Sequence, residues 1–165
     1  MKSIDFTKVG MARLSSSTPG IDTFQNKKAE MVNYLQECAL ADQEDKIGTT
    51  WVWNYDNSIV LGYVTLAMYS IDRKYIQDLS GKYFQYRSIP ALLLGQIATH
   101  KNYENRGIGT YMVSWTINKA IVLSKDVGCR MLTLHPHKDV VEWYQKLGFK
   151  LIESKHKKNI MYLYI

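Results

Sequence analysis

The stretch that decides the fold is QIATHKNYENRGIGT, residues 96–110. It joins the apolar run Ala91–Thr99, which predicts a strand covered on both faces, to the apolar segment Gly107–Val127, which predicts a buried helix. Between them, two glycines two positions apart let the backbone turn closely, so that several N–H groups at the helix start point to one spot. With Arg106 and the positive end of the helix dipole, this loop is typical of an anion site, and a plain turn is the alternative.

The loop differs from two common phosphate-binding motifs. No Lys-Ser/Thr pair follows the glycines, so it is not a Walker A loop. Met112 stands where a dinucleotide-binding fingerprint has its third glycine. The position between a buried strand and a buried helix, with Arg106 attached, still favours phosphate binding over a plain turn.

The rest of the chain predicts an α/β fold with a mixed sheet, because helical and strand patterns alternate along it. Strands are also expected at Val9–Leu14, Thr49–Tyr55, Ile59–Ile71, Arg130–His135, Phe149–Glu153 and Ile160–Tyr164. Thr49–Tyr55 and Ile59–Ile71 should form an antiparallel hairpin. Helices are expected at Lys27–Ala41 and Asp139–Leu147. Left-handed C-caps are expected at Gly128, after the helix Gly107–Val127, and at Gly148, after the last helix. Asp72–Ser88 should hold a short helix and a loop.

Composition restricts the class of protein. The chain has 165 residues, of which 46% are apolar and 22% charged, so it is globular and of a length that predicts a single domain over residues 1–165. Two cysteines, Cys38 and Cys129, are too few for a disulfide framework, and no Cys/His spacing supplies four metal ligands. There is no apolar core of a signal peptide and no apolar run that could span a bilayer. We therefore expect a cytoplasmic protein without a metal or a membrane contact.

The net charge of +6 is unevenly distributed. Residues 130–165 contain seven Lys or Arg against three acidic residues, which leaves this C-terminal segment clearly basic. Such an excess favours a polyanionic ligand, either coenzyme phosphates or nucleic acid. A lysine-rich surface that only keeps the protein in solution is the alternative.

Several segments resemble the GNAT superfamily of acyl-CoA-dependent N-acetyltransferases. In that superfamily a Q/R-x-x-G-x-G/A loop after an apolar strand holds the coenzyme pyrophosphate, and a later helix carries a Tyr-Glu-Lys-x-Gly-Phe-like signature. The matching segments here are Gln96–Thr99, Glu104–Thr110 and Glu142–Phe149. Further segments resemble the tRNA-acetylating toxins of toxin–antitoxin pairs, namely Phe24, Asn33–Leu35, Val60–Leu66 and Ile89–Gly95.

The resemblance implies a GNAT fold, with a central mixed, mostly antiparallel sheet of six to seven strands flanked by about four helices. It also implies acetyl-CoA as co-substrate and assigns roles in the reaction. Tyr144 would protonate the leaving thiolate, and the alternative is that it only packs under Phe149. The backbone around Ile97 and Thr99 would donate to the oxyanion and anchor the pantetheine arm. The implied coenzyme-binding residues are Ile97, Ala98, Thr99, Asn105, Arg106, Gly107, Ile108, Gly109 and Thr110.

The sequence departs from the family pattern at two positions and offers no obvious general base. Glu104 stands where Gln or Arg is usual, which puts an anion beside an anion site, and Gln96 replaces an Arg common in the toxins. No carboxylate lies on the central strand, which favours an α-amine, with a pKa of about 7.7–8.0, over a lysine near 10.4. His100 or a water chain are the alternative bases, while His135 and His137 are expected to be substrate-side or structural residues.

The resemblance therefore implies an N-acetyltransferase whose acceptor is a primary amine, possibly the α-amine of aminoacyl-tRNA. Such a toxin would be a homodimer neutralised by a ribbon-helix-helix antitoxin. Two alternatives stay open. One is acetylation of a small-molecule amine, a protein N-terminus or a lysine, and the other is a non-catalytic acyl-CoA-binding module.

Overall fold

Seven strands form a sheet in the order β1-β2-β3-β4-β5-β7-β6 in the computed structural model, which describes residues 4–76, 79, 86–152 and 159–165. β4 and β5 are parallel, and the pairs β1–β2, β2–β3, β5–β7 and β6–β7 are antiparallel. The predicted mixed sheet, its hairpin and its closing strand pair are thus confirmed. The strands are β1 Val9–Arg13, β2 Thr49–Tyr55, β3 Ile59–Asp72, β4 Ser88–Thr99, β5 Met131–Leu134, β6 Lys150–Ile152 and β7 Ile160–Tyr164.

The apolar strand β4 takes the middle position in this order, as its two-sided apolar character predicts. Its ladder with β5 joins Ala91–Leu94 to Met131–Leu134. β5 ends at Leu134, whereas β4 continues from Leu94 to Thr99. The last five residues of β4 therefore extend past the end of β5.

The first helical segment differs from the predicted helix Lys27–Ala41 at both ends and in its interior. It consists of α1 Ala29–Asn33, a π-helical turn Tyr34–Cys38 and α2 Ala39–Glu44. It begins late because Asn26 Oδ1 accepts a hydrogen bond from the Lys28 amide at 2.9 Å while Lys28 is extended. The chain leaves the helix where Lys46 is left-handed and the Ile47 amide donates to the Asp42 carbonyl at 2.8 Å.

The long apolar helix is α3, Ile108–Leu123, which is shorter than the predicted Gly107–Val127. Its end tightens into i to i−3 bonds, from the Asp126 amide to the Leu123 carbonyl at 3.0 Å, and Ser124 Oγ donates to the Ile121 carbonyl at 2.7 Å. These bonds satisfy the terminal carbonyls without a left-handed residue. The prediction of a left-handed C-cap at Gly128 is therefore wrong, since this glycine has no positive φ.

The last helix, α4 Val141–Lys146, follows a 3₁₀ turn at Lys138–Val140, so the predicted helix Asp139–Leu147 is part 3₁₀ and part α. Gly148 adopts φ 92° and its amide donates to the Gln145 carbonyl at 3.0 Å, which confirms the predicted C-cap. A 3₁₀ turn occupies Arg73–Tyr75, and β4 begins at Ser88. Residues 77, 78 and 80–85 of the predicted helix and loop, and Glu153 of the predicted strand, lie outside the described residues.

Two compact units divide the chain, and the first comprises Met1–Ala67 and Gly95–Trp115. Within it, α3 approaches β3 closely at Gly62. A Cβ at this glycine would lie 2.7 Å from the Ala98 carbonyl oxygen and 2.9 Å from Cε of the fully buried Met112. The small residue that permits close helix–strand packing is thus on the strand, which accounts for Met112 in place of a third glycine on the helix. The core of this unit is Leu14, Phe24, Leu35, Ala39, Val52, Val60, Tyr63 and Ala98.

The second unit comprises Met68–Leu94 and Thr116–Ile165. Its core is Ile71, Ile76, Leu79, Ile89, Ala91, Met131, Ile152 and Tyr162. The single domain over residues 1–165 stays a prediction. Among the residues that the structure describes, no helix has both the length and the apolar character needed to cross a membrane.

Candidate functional site

All nine predicted coenzyme-binding residues lie in the first unit, at the end of β4 and in the loop that leads to α3. At the end of β4, Ala98 is buried, whereas Ile97 and Thr99 are half-buried. Asn26 Nδ2 donates to the Thr99 carbonyl at 2.7 Å, and the Lys101 amide donates to the Gln25 carbonyl at 2.8 Å. The segment before α1 therefore fixes the end of β4. Sequence reasoning missed Asn26, because no local pattern indicates a hydrogen bond between residues so far apart in the chain.

The loop has the backbone of an anion-binding turn. Asn105 and Gly107 are both left-handed, with φ 60° and 85°. The Gly107 carbonyl accepts from the Tyr111 amide at 2.9 Å, which closes the first turn of α3. Helix geometry leaves the amides of residues 108–110 without a carbonyl partner in the helix, and left-handed residues before a helix commonly form a concave nest of N–H groups. The left-handed Gly107 makes the close turn that the Gly-x-Gly spacing predicts, and the Ile108 side chain is buried in the core.

Arg106 holds its positive charge beside this loop. Its guanidinium carbon lies 5.3 Å from the centroid of the Tyr103 ring, within the range of a cation–π contact. Such a contact orients the guanidinium and keeps its charge at the start of α3, where an anionic ligand benefits from it.

Glu104, the departure from the family pattern, forms an ion pair with Lys27. The Glu104 side chain is one-quarter exposed and that of Lys27 about three-quarters exposed. Lys27 thereby neutralises the carboxylate that would otherwise repel a phosphate. The sequence alone placed an anion beside an anion site, and the tertiary structure supplies the compensating cation from the segment before α1.

Lys27→Ala should therefore weaken acetyl-CoA binding by up to about fivefold at low salt, because an exposed ion pair is worth about 0.2–1 kcal/mol. Isothermal titration measures the effect, and Lys125→Ala is the control that removes the same charge from the second unit. The double variant Lys27→Ala with Glu104→Gln should return to wild-type affinity. If it stays weak, Lys27 contacts the ligand itself and does not act by neutralising Glu104.

His100, one of the two alternative bases, has a structural hydrogen bond. Its Nδ1 accepts from the Asn102 amide at 3.2 Å and so caps the 3₁₀ turn Lys101–Tyr103. Burial lowers the pKa of His100, so the ring is neutral at physiological pH. We therefore assign His100 to capping the turn after β4.

Tyr144 lies in the second unit, on α4, and is buried with 4% of its surface exposed. Its ring contacts Trp143 at a centroid distance of 4.7 Å and Phe149 at 5.5 Å, so the expected packing under Phe149 is present. Burial raises the pKa of the Tyr144 phenol above its ordinary value of about 10. The hydroxyl therefore stays protonated at neutral pH and is able to donate a proton.

The other predicted groups of the second unit are exposed. His135 and His137 are on the surface, and His135 meets the Tyr69 ring edge-on at 5.7 Å. Arg130 and Lys150 both lie over the Tyr164 ring, at 5.5 and 5.9 Å from its centroid. Of the basic residues in 130–165, Lys155, Lys157 and Lys158 lie outside the described residues. In the part of the chain that is described, no three His, Cys, Asp or Glu residues are grouped so that they could hold a metal ion.

Comparison with known proteins gives one family and a consistent set of relatives. The family described as "Acetyltransferase (GNAT) domain" matches residues 46–151, more than half of the chain. A tRNA-acetylating toxin of Mycobacterium tuberculosis (strain ATCC 25618 / H37Rv) is 22% identical over 142 residues, 84% of this chain and 83% of the relative.

Solved structures of similar proteins share the fold. AtaT complexed with acetyl-methionyl-tRNAfMet matches with a TM-score of 0.86 and 20% identity, over 94% of both chains. AtaTR bound with AcCoA matches with a TM-score of 0.81 and 20% identity, over 96% of this chain and 94% of the other.

Proposed function

The chain belongs to the GNAT family of acetyltransferases, and from this premise we propose that it transfers the acetyl group of acetyl-CoA to the α-amine of an aminoacyl-tRNA. The observation that carries the coenzyme assignment is the loop between β4 and α3. Its left-handed Asn105 and Gly107, the free amides at the start of α3 and the oriented Arg106 suit a pyrophosphate. The ion pair with Lys27 neutralises Glu104, whose carboxylate would oppose a pyrophosphate.

In this proposal the coenzyme-binding residues are Ile97, Ala98, Thr99 and Asn105–Thr110. The pantetheine arm pairs with the backbone of Ile97 and Thr99, at the end of β4 that extends past β5. The pyrophosphate lies against the amides of residues 108–110. The Ile108 side chain serves only to anchor the loop, because it is 1% exposed.

Tyr144 is the proposed general acid. The amine nitrogen attacks the thioester carbonyl, the new C–N bond forms, and the C–S bond breaks as the coenzyme leaves. The leaving thiolate takes the Tyr144 proton. The amine loses a proton to solvent, and solvent returns a proton to Tyr144. Burial raises the pKa of Tyr144, so the phenol is protonated at neutral pH and holds the proton that this role requires.

Three observations support the aminoacyl-tRNA acceptor over other amines. His100 Nδ1 caps the turn after β4 and no carboxylate lies on β4, which favours an amine that is partly neutral on its own. Residues 130–165 are basic. The similar proteins include a tRNA-acetylating toxin and AtaT, whose structure is in complex with an acetylated tRNA.

We further propose a homodimer, a ribbon-helix-helix antitoxin as partner and a cytoplasmic setting, to which the two free cysteines are suited.

The acceptor is tested with labelled acetyl-CoA and a mixed set of amines. These are aminoacylated tRNAs, deacylated tRNAs, polyamines and lysine peptides, each at 50 and 200 mM salt. Label should appear on charged tRNA alone and be released by mild alkaline cleavage of the ester. If two phosphates are contacted, kcat/KM should fall about tenfold between the two salt concentrations, because each contact releases counterions.

Charge variants provide the matched control. Arg130→Ala with Lys150→Ala should slow the reaction on charged tRNA and flatten its salt dependence, whereas Lys119→Ala with Lys125→Ala, an equal loss of charge outside residues 130–165, should change neither. Label on polyamine or peptide with a flat salt response would reject tRNA as the acceptor and favour a small-molecule or protein amine. Coenzyme binding without transfer to any amine would instead favour a non-catalytic binding module.

A further inference from the structure

Two half-exposed aromatic rings lie together beside the coenzyme loop in the first unit. Phe6 and Tyr111 are 44% and 48% exposed, and their ring centroids are 5.4 Å apart with the planes inclined at 57°. Single exposed apolar side chains are common on protein surfaces. Two aromatic rings in contact at the edge of an anion-binding loop form a continuous apolar surface next to a place for phosphates.

The position of Phe6 is well defined by its own segment. It begins the 3₁₀ turn Phe6–Lys8, whose N-cap Asp5 accepts from both the amide and the hydroxyl of Thr7, at 3.1 and 2.6 Å. The Lys8 carbonyl then accepts from the Asp56 amide at 3.2 Å, and β1 follows directly in its ladder with β2. The backbone that carries Phe6 is thus fixed by its turn and by the sheet.

The ring pair lies next to Gly107 of the loop. A Cβ built on Gly107 would lie 3.9 Å from Cζ of Phe6 and meet no other atom within 4 Å. Tyr111, whose ring contacts that of Phe6, is one helical turn beyond Gly107 and donates its amide to the Gly107 carbonyl. A group that follows a phosphate bound at Gly107 would therefore lie beside these two rings.

We propose that Phe6 and Tyr111 form a stacking platform for the adenine ring of acetyl-CoA. The inference rests on the proposed function, since the loop must hold the pyrophosphate. The adenosine follows the pyrophosphate in the coenzyme, and a flat purine stacked on an aromatic side chain gains about 1–3 kcal/mol. Phe6 lies outside residues 46–151, so the family match assigns it no role.

The test compares two ligands that differ in the adenosine. Isothermal titration is carried out with acetyl-CoA and with S-acetyl-4′-phosphopantetheine, which lacks the nucleotide. Phe6→Ala should weaken acetyl-CoA binding about 5- to 150-fold, the range expected for one stacked base, and leave the affinity for the phosphopantetheine thioester within twofold. Phe6→Trp should retain acetyl-CoA affinity, whereas Phe6→Leu, which is apolar but has no ring face, should behave like Phe6→Ala. Met11→Ala removes another exposed apolar side chain of the same unit and should change neither affinity.

The possible failures are distinguishable. An equal loss for both ligands in Phe6→Ala would show that the ring only supports the loop, and no loss for either would show that adenine binds elsewhere. Both results overturn the platform and leave the coenzyme assignment standing. A wild-type protein that binds neither ligand would overturn the proposed function and the platform with it.

Discussion

Gly107→Glu should abolish measurable acetyl-CoA binding while the protein stays folded. Gly107 has φ 85°, a conformation that costs an L-residue about 1–2 kcal/mol. The new carboxylate would extend into open space, because only Cζ of Phe6 lies within 4 Å of its Cβ. That space is where the proposed pyrophosphate lies, so strain, bulk and charge all act against the ligand. We expect a loss of more than about 100-fold by isothermal titration, since each 1.4 kcal/mol is tenfold.

Two further variants separate these causes. Gly107→Ala adds the strain without the charge and should lose affinity by an intermediate amount. Gly128→Glu adds the same charge at a glycine that has no positive φ and no atom within 4 Å of its Cβ, and should bind as wild type. Thermal melting confirms that each variant is folded. Wild-type affinity in Gly107→Glu would remove the loop from the coenzyme site.

Tyr144→Phe should lower kcat by about 10²- to 10⁴-fold, the usual contribution of a general acid, and leave acetyl-CoA affinity within about twofold. The change removes one oxygen and keeps the ring that packs against Trp143 and Phe149. The measurement is kcat on the acceptor identified above, together with titration of the coenzyme.

Tyr162→Phe is the matched control, because it removes a hydroxyl from another buried tyrosine of the second unit. It should leave kcat within about threefold of wild type. The pH profile adds an independent test. Because burial raises the pKa of Tyr144, its acid form persists as pH rises, so the wild-type rate should increase from pH 7 to 9 as the α-amine, with a pKa of about 7.7–8.0, becomes neutral. A fall of less than about threefold in Tyr144→Phe would return this residue to a purely structural role.

Features that depend on residues close together in the chain were predicted correctly from the sequence. The hairpin of β2 and β3, the central strand β4, the closing pair β6–β7 and the C-cap at Gly148 all follow from side-chain period and turn chemistry. The Gly-x-Gly loop was found in the same way, since its glycines lie between two apolar runs. Helix ends were predicted less accurately, because i to i−3 hydrogen bonds and the bond of the Ser124 hydroxyl end α3 before Gly128.

The electrostatics of the candidate site depended on contacts between distant parts of the chain. Glu104 is neutralised by Lys27, and the Thr99 carbonyl is held by Asn26. Neither bond follows from a sequence period, because each is formed only when the segment before α1 packs along the end of β4 and the loop after it. The amino-acid sequence by itself thus determined the order of the elements and the position of the loop, which local hydrogen bonding and apolar spacing control. Only the tertiary structure decided which charges in that loop are free to act, since a charge is neutralised by whatever the fold brings within a few ångströms of it.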